Sequence, residues 1–434
     1  MQKIKLFFIF AVISLLTGCS QNYQRSDNKP DKQMVLPIPA ANLVSYQKNA
    51  ALFSIPLNTV EEKVGTPEIF DQSVMEVVLL SDEFTIGEID KVLVSDDKII
   101  VLDRFSTRSV SCFDRSGNFL WALNQHGQGP QEFVHPQDVF LEEETGKVVL
   151  FADGKELMYY DQNGQYEKTV RLPAFGFFAN SLGPGQVVVY TGTHVDDPQN
   201  NYYLHFYEVR GDSASLVSVN APYPLEYQRY SRAQGGCFSR TADGKLLHYR
   251  PFSDTVYQIT ADRIEPYVVM DYQDKAVPLK YKKSVRNYLD YLENQANVQN
   301  QIERPNLFWE TESQIFVKSY DDDQCFLTFY DKAGENSRTV PCKRLGSGIL
   351  TGLLGLTPLG ITDDDRVVYD FPTYEAHDLV KKYRRDGNSQ EKVEWALKKD
   401  LPFLYYIYKN TSKHSNPALV FTKVRDDFFT EESL

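Results

Sequence analysis

Phe113-Asp-Arg-Ser-Gly-Asn118, Tyr160-Asp-Gln-Asn-Gly-Gln165, Tyr207-Glu-Val-Arg-Gly-Asp212 and Tyr330-Asp-Lys-Ala-Gly-Glu335 repeat one pattern, and the first three copies lie 47 residues apart. An aromatic residue closes an apolar run. The acidic residue after it can hydrogen-bond the turn backbone, and the glycine supplies the positive φ of a tight hairpin. Further turn signals stand at Asp96-Asp97, Thr145-Gly146, Pro184-Gly185, Asp243-Gly244, Glu312-Ser313 and Asp364-Asp365. Each precedes a β-rich run such as Lys98–Asp103 or Lys147–Asp153. Two hairpins per repeat predict four strands per repeat, which is the blade of a propeller.

Working outward, the units fall at 88–123, 136–172, 177–221, 235–272, 306–343 and an interrupted one from Leu356. The last unit offers strands at Leu356–Thr362, Arg366–Phe371 and Asn416–Val424, with none in the acidic tail. Val74–Leu80 is available upstream to supply the missing one and remove the free edge. The expected fold is all-β: a six-bladed β-propeller over residues 50–434, closed by an N-terminal strand. Helical insertions are expected at Leu279–Val298 and Asp378–Arg385. The chain resembles six-bladed propeller lipoproteins of the NHL/TolB-like group of Gram-negative bacteria. The resemblance rests on Ile86-Gly-Glu-Ile-Asp-Lys-Val92, the Phe113–Gly117 turn, Gly127-Gln-Gly-Pro-Gln-Glu-Phe133 and Asn416-Pro-Ala-Leu-Val-Phe421. It implies export and the fold, and no established reaction.

The first residues follow an export pattern. Lys3 and Lys5 precede Leu6–Leu16, an apolar run of signal-peptide length that is too short to span a bilayer. Leu16-Thr17-Gly18-Cys19 resembles the lipobox of bacterial lipoproteins, which implies removal of residues 1–18 and lipidation of Cys19, palmitate included. Several acyl chains together hold a protein stably at a membrane. Residues 19–49 are polar and read as a flexible tether. The expected location is the cell envelope, lipid-anchored at the outer membrane, facing the periplasm or the surface.

Loss of residues 1–18 removes two lysines and no acid, so a net charge of −13 becomes −15. Such a body is repelled by phosphate backbones, so no nucleic-acid partner is expected. Four cysteines remain in the body, with no CxxC or Cys/His spacing, and neither a metal nor a cofactor is expected. Cys325 and Cys342 flank one predicted hairpin and come close to facing each other, and an oxidising compartment would permit a bond.

In a propeller, short hairpin turns lie on one face and the inter-blade and B-to-C connections on the other. Every long connection belongs to the second set: 124–135, 194–201, 221–235, 273–305, 344–355 and 372–415. Long loops in a compact domain tend to be functional, so that face is the expected working surface. Tyr227, Tyr230 and Arg232 cluster there, and Arg104 and Arg108 flank the first B-to-C turn. Tyr and Arg are enriched where partners are gripped. His126 and His135 bracket the glycine-proline loop, which also reads as a tight crossing with Phe133 packed beneath. The runs 321–323 and 363–365 read as solvated acidic turns, because they lack the glycine and terminal glutamate of a calcium loop.

Two classes of function follow. One is a binding or scaffold module that holds a protein, peptide or glycan on the loop face. The other is a propeller hydrolase or lactonase with a site in the central channel, to which the inner strands would contribute Asp90, Asp138, Asn180, Arg240 and Asn306. No catalytic residue set is recognisable, and binding is the expectation.

Overall fold

The computed structural model describes Ser45 and residues 50–59, 66–142, 144–192, 201–223, 236–250, 253–277, 301–302, 304–321, 324–343, 358–362, 364–385 and 387–430. The predicted signal peptide and nearly all of the tether lie outside these residues, as do 279–298, 344–355 and the Tyr227, Tyr230 and Arg232 cluster. Among the described residues the fold is all-β and propeller-like, with five sheets. The first is β3 (Lys91–Val94), β4 (Lys98–Asp103), β5 (Ser109–Asp114) and β6 (Phe119–Leu123). An eight-stranded sheet follows. One half is β7 (Pro136–Glu142), β8 (Lys147–Ala152), β9 (Glu156–Tyr160) and β10 (Tyr166–Arg171). The other is β11 (Phe178–Gly183), β12 (Gln186–Tyr190), β13 (Tyr202–Arg210) and β14 (Ser213–Pro222), joined to the first through the single parallel pair Arg171–Ser213.

The five-stranded sheet holds β15 (Phe238–Arg240), β16 (Leu246–His248), β17 (Thr255–Ile259) and β18 (Ile264–Asp271), with β1 (Phe53–Pro56) added parallel to β18. Next come β19 (Pro305–Glu310), β20 (Gln314–Tyr320), β21 (Gln324–Asp331) and β22 (Asn336–Lys343). The last sheet is β23 (Pro358–Ile361), β24 (Val367–Phe371), β25 (Ala418–Thr422) and β2 (Glu76–Leu79).

The second strand of a sheet packs on both faces, so it reads as a continuous apolar run rather than an alternating one. In Lys98-Ile-Ile-Val-Leu-Asp103, Ile99 and Val101 pack with Val368, Leu419 and Phe421 of the last sheet. Ile100 and Leu102 turn the other way, onto Val139, Val148 and Leu150. The same alternation fills the later gaps, for example Phe151 against Val189 and Leu247 against Phe308.

The repeated turn works as its residues predict in the first two copies. Asp114 Oδ1 accepts from the Ser116 and Asn118 amides, and Gly117 takes φ +86°. Asp161 and Gly164 repeat this arrangement. The third copy differs: β13 runs past Tyr207 to Arg210, and the turn itself is Gly211-Asp212. In the fourth copy Glu335, not Gly334, adopts the positive φ, while Asp331 accepts from the Ala333 and Gly334 amides.

Val74–Leu80 does supply an outer strand, since β2 pairs antiparallel with β25 through Glu76–Phe421 to Leu79–Ala418. Asn416 locks the next connection. Its side chain accepts from the Ile86 amide at 2.8 Å and donates to the Ser81 and Phe84 carbonyls at 2.8 and 2.7 Å. Upstream, the chain passes the outer edges of three sheets in turn, through β1, the Thr59–Thr339 bridge and the Phe70–Val424 bridge.

The 372–415 connection is helical over more of its length than the sequence suggests: α2 (Thr373–Arg385), α3 (Gln390–Asp400) and α4 (Pro402–Asn410), after the one-turn α1 (Thr66–Ile69). The Ser389 hydroxyl caps α3, and Lys398 and Lys399 sit in its last turn, where they suit the helix dipole. Cys325 is disulfide-bonded and stands in register opposite Cys342. Cys112 and Cys237 are free and buried. In the two acidic turns Asp364 is exposed as expected, whereas Asp321 and Asp365 are engaged. The Asp321 side chain is buried 3.3 Å from the Lys275 ammonium, and Asp365 accepts from the Ser313 amide at 3.0 Å.

Candidate functional site

The inner strands enclose a cavity of about 600 Å³, to which β3, β7, β11, β15, β19 and β23 all contribute. Ser95, Asp96, Asp243 and Gly244 of the short hairpins stand among its walls, so it opens on the short-turn face. This is the face opposite the long connections. A chamber of about 60 Å³, bounded by Asp90, Arg104 and Gln137, lies toward the long-connection side. Lys91, Phe238 and Trp309 border both spaces and form the layer between them.

Contacts between inner strands fix this layer. The Lys91 ammonium lies 2.7 Å from Asp138 Oδ1, and Asp138 Oδ2 accepts from the Ala179 amide. Arg240 donates to Asn180 Oδ1 at 3.0 Å and to the Gly244 carbonyl at 2.9 Å. Trp309 Nε1 donates to the Pro358 carbonyl at 3.1 Å. A Cβ on Gly360 would stand 3.0 Å from the Val92 carbonyl oxygen, so the backbones approach closely there.

Of the inner-strand polar residues named from sequence, Asp138, Asn180 and Arg240 take part in these contacts, and Asp90 borders the smaller chamber. Asn306 lines neither space. The sequence reading missed Lys91 and Trp309, whose partners lie in other sheets. Among the described residues the buried Ser239 hydroxyl has no hydrogen-bond partner. Among the described residues no group of three His, Cys, Asp or Glu could hold a metal ion.

On the long-connection face Arg104 acts as a strut. Its Nε and Nη2 donate to Asp90 Oδ1 at 3.1 and 3.0 Å, and its guanidinium lies over the rings of Phe105 and Phe178. Phe105 itself is 68% exposed. Arg108 occupies a turn at φ +53°. His126 is exposed, edge-on to Phe133, which is fully buried beneath the Gly127–Phe133 crossing as expected. His135 is also exposed, and its amide donates to Asp153 Oδ1.

Sequence reasoning also missed an acidic group on this face. Burial, reinforced by Glu375 and Glu88, pushes the Asp370 carboxyl up to about 7. Burial raises Glu375 too, and burial with Asp90 and Asp103 raises Glu88. The signal was an aspartate inside the apolar strand Val367-Val-Tyr-Asp-Phe371.

A family described as a domain of unknown function (DUF4934) matches residues 80–423. No curated protein matches the chain. Among solved structures, a Bacteroides fragilis protein described as exported is 16% identical, with a TM-score of 0.67 over 86% of this chain and 99% of its own. That likeness is one of fold. BamB from Moraxella catarrhalis matches at 12% identity and TM-score 0.38, over 69% of this chain and 86% of its own. A Bacteroides caccae protein of unknown function matches at 10% and 0.34, over 59% and 86%.

Proposed function

Because this chain belongs to the DUF4934 family of domains of unknown function, whose description names no activity, we propose its function from geometry: an exported propeller that binds rather than transforms. One observation carries this reading. The charged and polar side chains at the layer across the channel are engaged with one another, as in Lys91–Asp138 and Arg240–Asn180. Such pairs stiffen a scaffold, whereas a hydrolytic site needs a nucleophile within reach of a base. In this reading the long-connection face holds a protein, peptide or glycan partner, and Tyr227, Tyr230, Arg232, Arg108, His126 and His135 are the candidate residues that grip it. The Ser45 amide donates to the Ile264 carbonyl at the short-turn end of β18.

Six blades form the ring in this reading. Its support is the single Arg171–Ser213 pair joining the halves of the eight-stranded sheet, and the apolar cluster that fills each gap between successive four-stranded units. Lipidation at Cys19 anchors the body to the cell envelope, at the outer membrane. Its support is the Leu16–Cys19 motif after an apolar run, and no described helix is long and apolar enough to cross a membrane.

The test compares parent chain, Cys19→Ala and the triple variant Tyr227→Ala, Tyr230→Ala, Arg232→Ala in palmitate-labelled, cross-linked cells. The parent should carry label and a cross-linked partner, Cys19→Ala should lose the label, and the triple variant should fold yet lose the partner. Equal label in Cys19→Ala removes the anchor. A folded triple variant that keeps its partner removes the Tyr/Arg cluster from the binding face.

A further inference from the structure

The large cavity opens on the face that the reading above leaves unused, and its walls have a definite chemistry. Two cations, Lys91 and Arg240, and two anions, Asp96 and Asp243, stand on its walls; Lys91 is paired with Asp138 and Asp243 with Lys245, which leaves Arg240 and Asp96 with no excess of either sign. A phosphate or a polycation would meet as much repulsion as attraction there, so an uncharged ligand fits best. Between the charges stand the Asn180 amide nitrogen and flat apolar groups, Phe140, Phe238 and Trp309. A volume of about 600 Å³ is that of a ligand pocket rather than a packing void. The Trp309 ring is already anchored through its Nε1 bond to Pro358, so stacking on it orders little that is not ordered before.

An uncharged molecule with an apolar face and a rim of hydroxyls matches these walls, and a pyranose ring is such a molecule. We propose that the channel cavity binds the neutral end of a glycan, entering from the short-turn face, with Trp309 as the stacking platform and the Asn180 amide nitrogen and the Asp96 carboxylate among the groups that meet its hydroxyls. This deepens the binding reading and rests on it. The glycan and the partner on the long-connection face occupy opposite ends of the channel, so each can be lost without the other.

The experiment titrates the full chain in detergent with maltotriose, cellotriose, mannotriose and chitotriose by calorimetry, with trialanine and a sulfated trisaccharide alongside. At least one neutral saccharide should saturate. Trp309→Ala should weaken it tenfold or more, while Trp395→Ala, on an exposed helix surface, should leave it unchanged. Ala242→Trp, which crowds the mouth from a hairpin outside the core, should abolish binding with the melting temperature retained, and it decides the matter if Trp309→Ala fails to fold. The inference is overturned if no neutral saccharide saturates, if the sulfated sugar or trialanine binds instead, or if Ala242→Trp binds as the parent does. Chromatography of the bound sugar separates the two readings. A cleaved saccharide keeps the site but ends the binding-only function, whereas absent saccharide binding with partner capture intact ends this inference alone.

Discussion

Asp370 is a carboxyl held up to about 7 by burial first and by Glu375 and Glu88 next, against an ordinary 3.8. In the folded chain it keeps its proton where the unfolded chain has already lost it. Between those two values the folded state therefore binds more protons, and stability falls as pH rises. Asp370→Asn removes the ionisation and should melt a few degrees above the parent at pH 8, with the two converging near pH 4. Thermal unfolding at both pH values checks this, and a constant gap would mean that Asp370 is already neutralised by a cation. Single residues were legible in proportion to how local their partners are. Asp114 and Asp161 bond amides within four residues, and the sequence alone announced them. Asn416 stood out as part of a motif, but its work lies more than 300 residues away, on Ile86, Ser81 and Phe84. Arg104 read as a residue for gripping a partner, and nothing local announced its bond to Asp90 on the neighbouring stretch of chain.

Strands were the most legible elements, because a two-residue period and a fixed turn chemistry survive without tertiary context. The unit expected from residue 136 opens on β7 at Pro136–Glu142, and the unit expected from 306 opens on β19 at Pro305–Glu310. Helix α4 was missed because Pro402-Phe-Leu-Tyr-Tyr-Ile-Tyr408 has strand-like composition. It is helical because Phe403, Leu404 and Ile407 share one buried face. The upstream strap has an energetic consequence of its own. Residues 50–80 bury Ile55, Leu57, Ile69, Phe70, Val78 and Leu80 almost completely. At about 1.5–3 kcal/mol for each fully buried side chain, their loss costs on the order of 10 kcal/mol, comparable with the whole stability of a domain. Deleting 50–80 should therefore leave a chain that aggregates or melts far below the parent, while deleting 20–44 should change the melting temperature by no more than a degree or two. Calorimetry on both deletions is the check, and an unshifted transition for the longer one would show that β25 finds another partner.

At the scale of the molecule, the class of fold could be read before the way its parts are joined. Repeats state that blades exist, but the sequence cannot say that a helical insertion is part of the core rather than an appendage. In the structure one apolar cluster includes Phe316 and Leu327, Tyr369 and Val420, Phe70 of the strap, and Val393, Leu397, Leu404 and Ile407 of the insertion. Open repeat arrays can lose terminal units one at a time, because each unit is held only by its neighbours. Here β2 and β25 join the two ends of the chain, and the insertion shares buried side chains with two sheets. Opening the insertion alone would strip Phe371, whose ring packs edge-on to Phe403, and Tyr369 of cover, so its opening should cost nearly as much as unfolding the ring. Native-state hydrogen exchange in rising denaturant measures this directly. Amides of 397–407 and of 110–113 should converge on opening free energies within about 1 kcal/mol of each other. If the helical amides exchange several kcal/mol more easily, the insertion opens on its own, and the long-connection face it belongs to is then free to move while the ring stays closed.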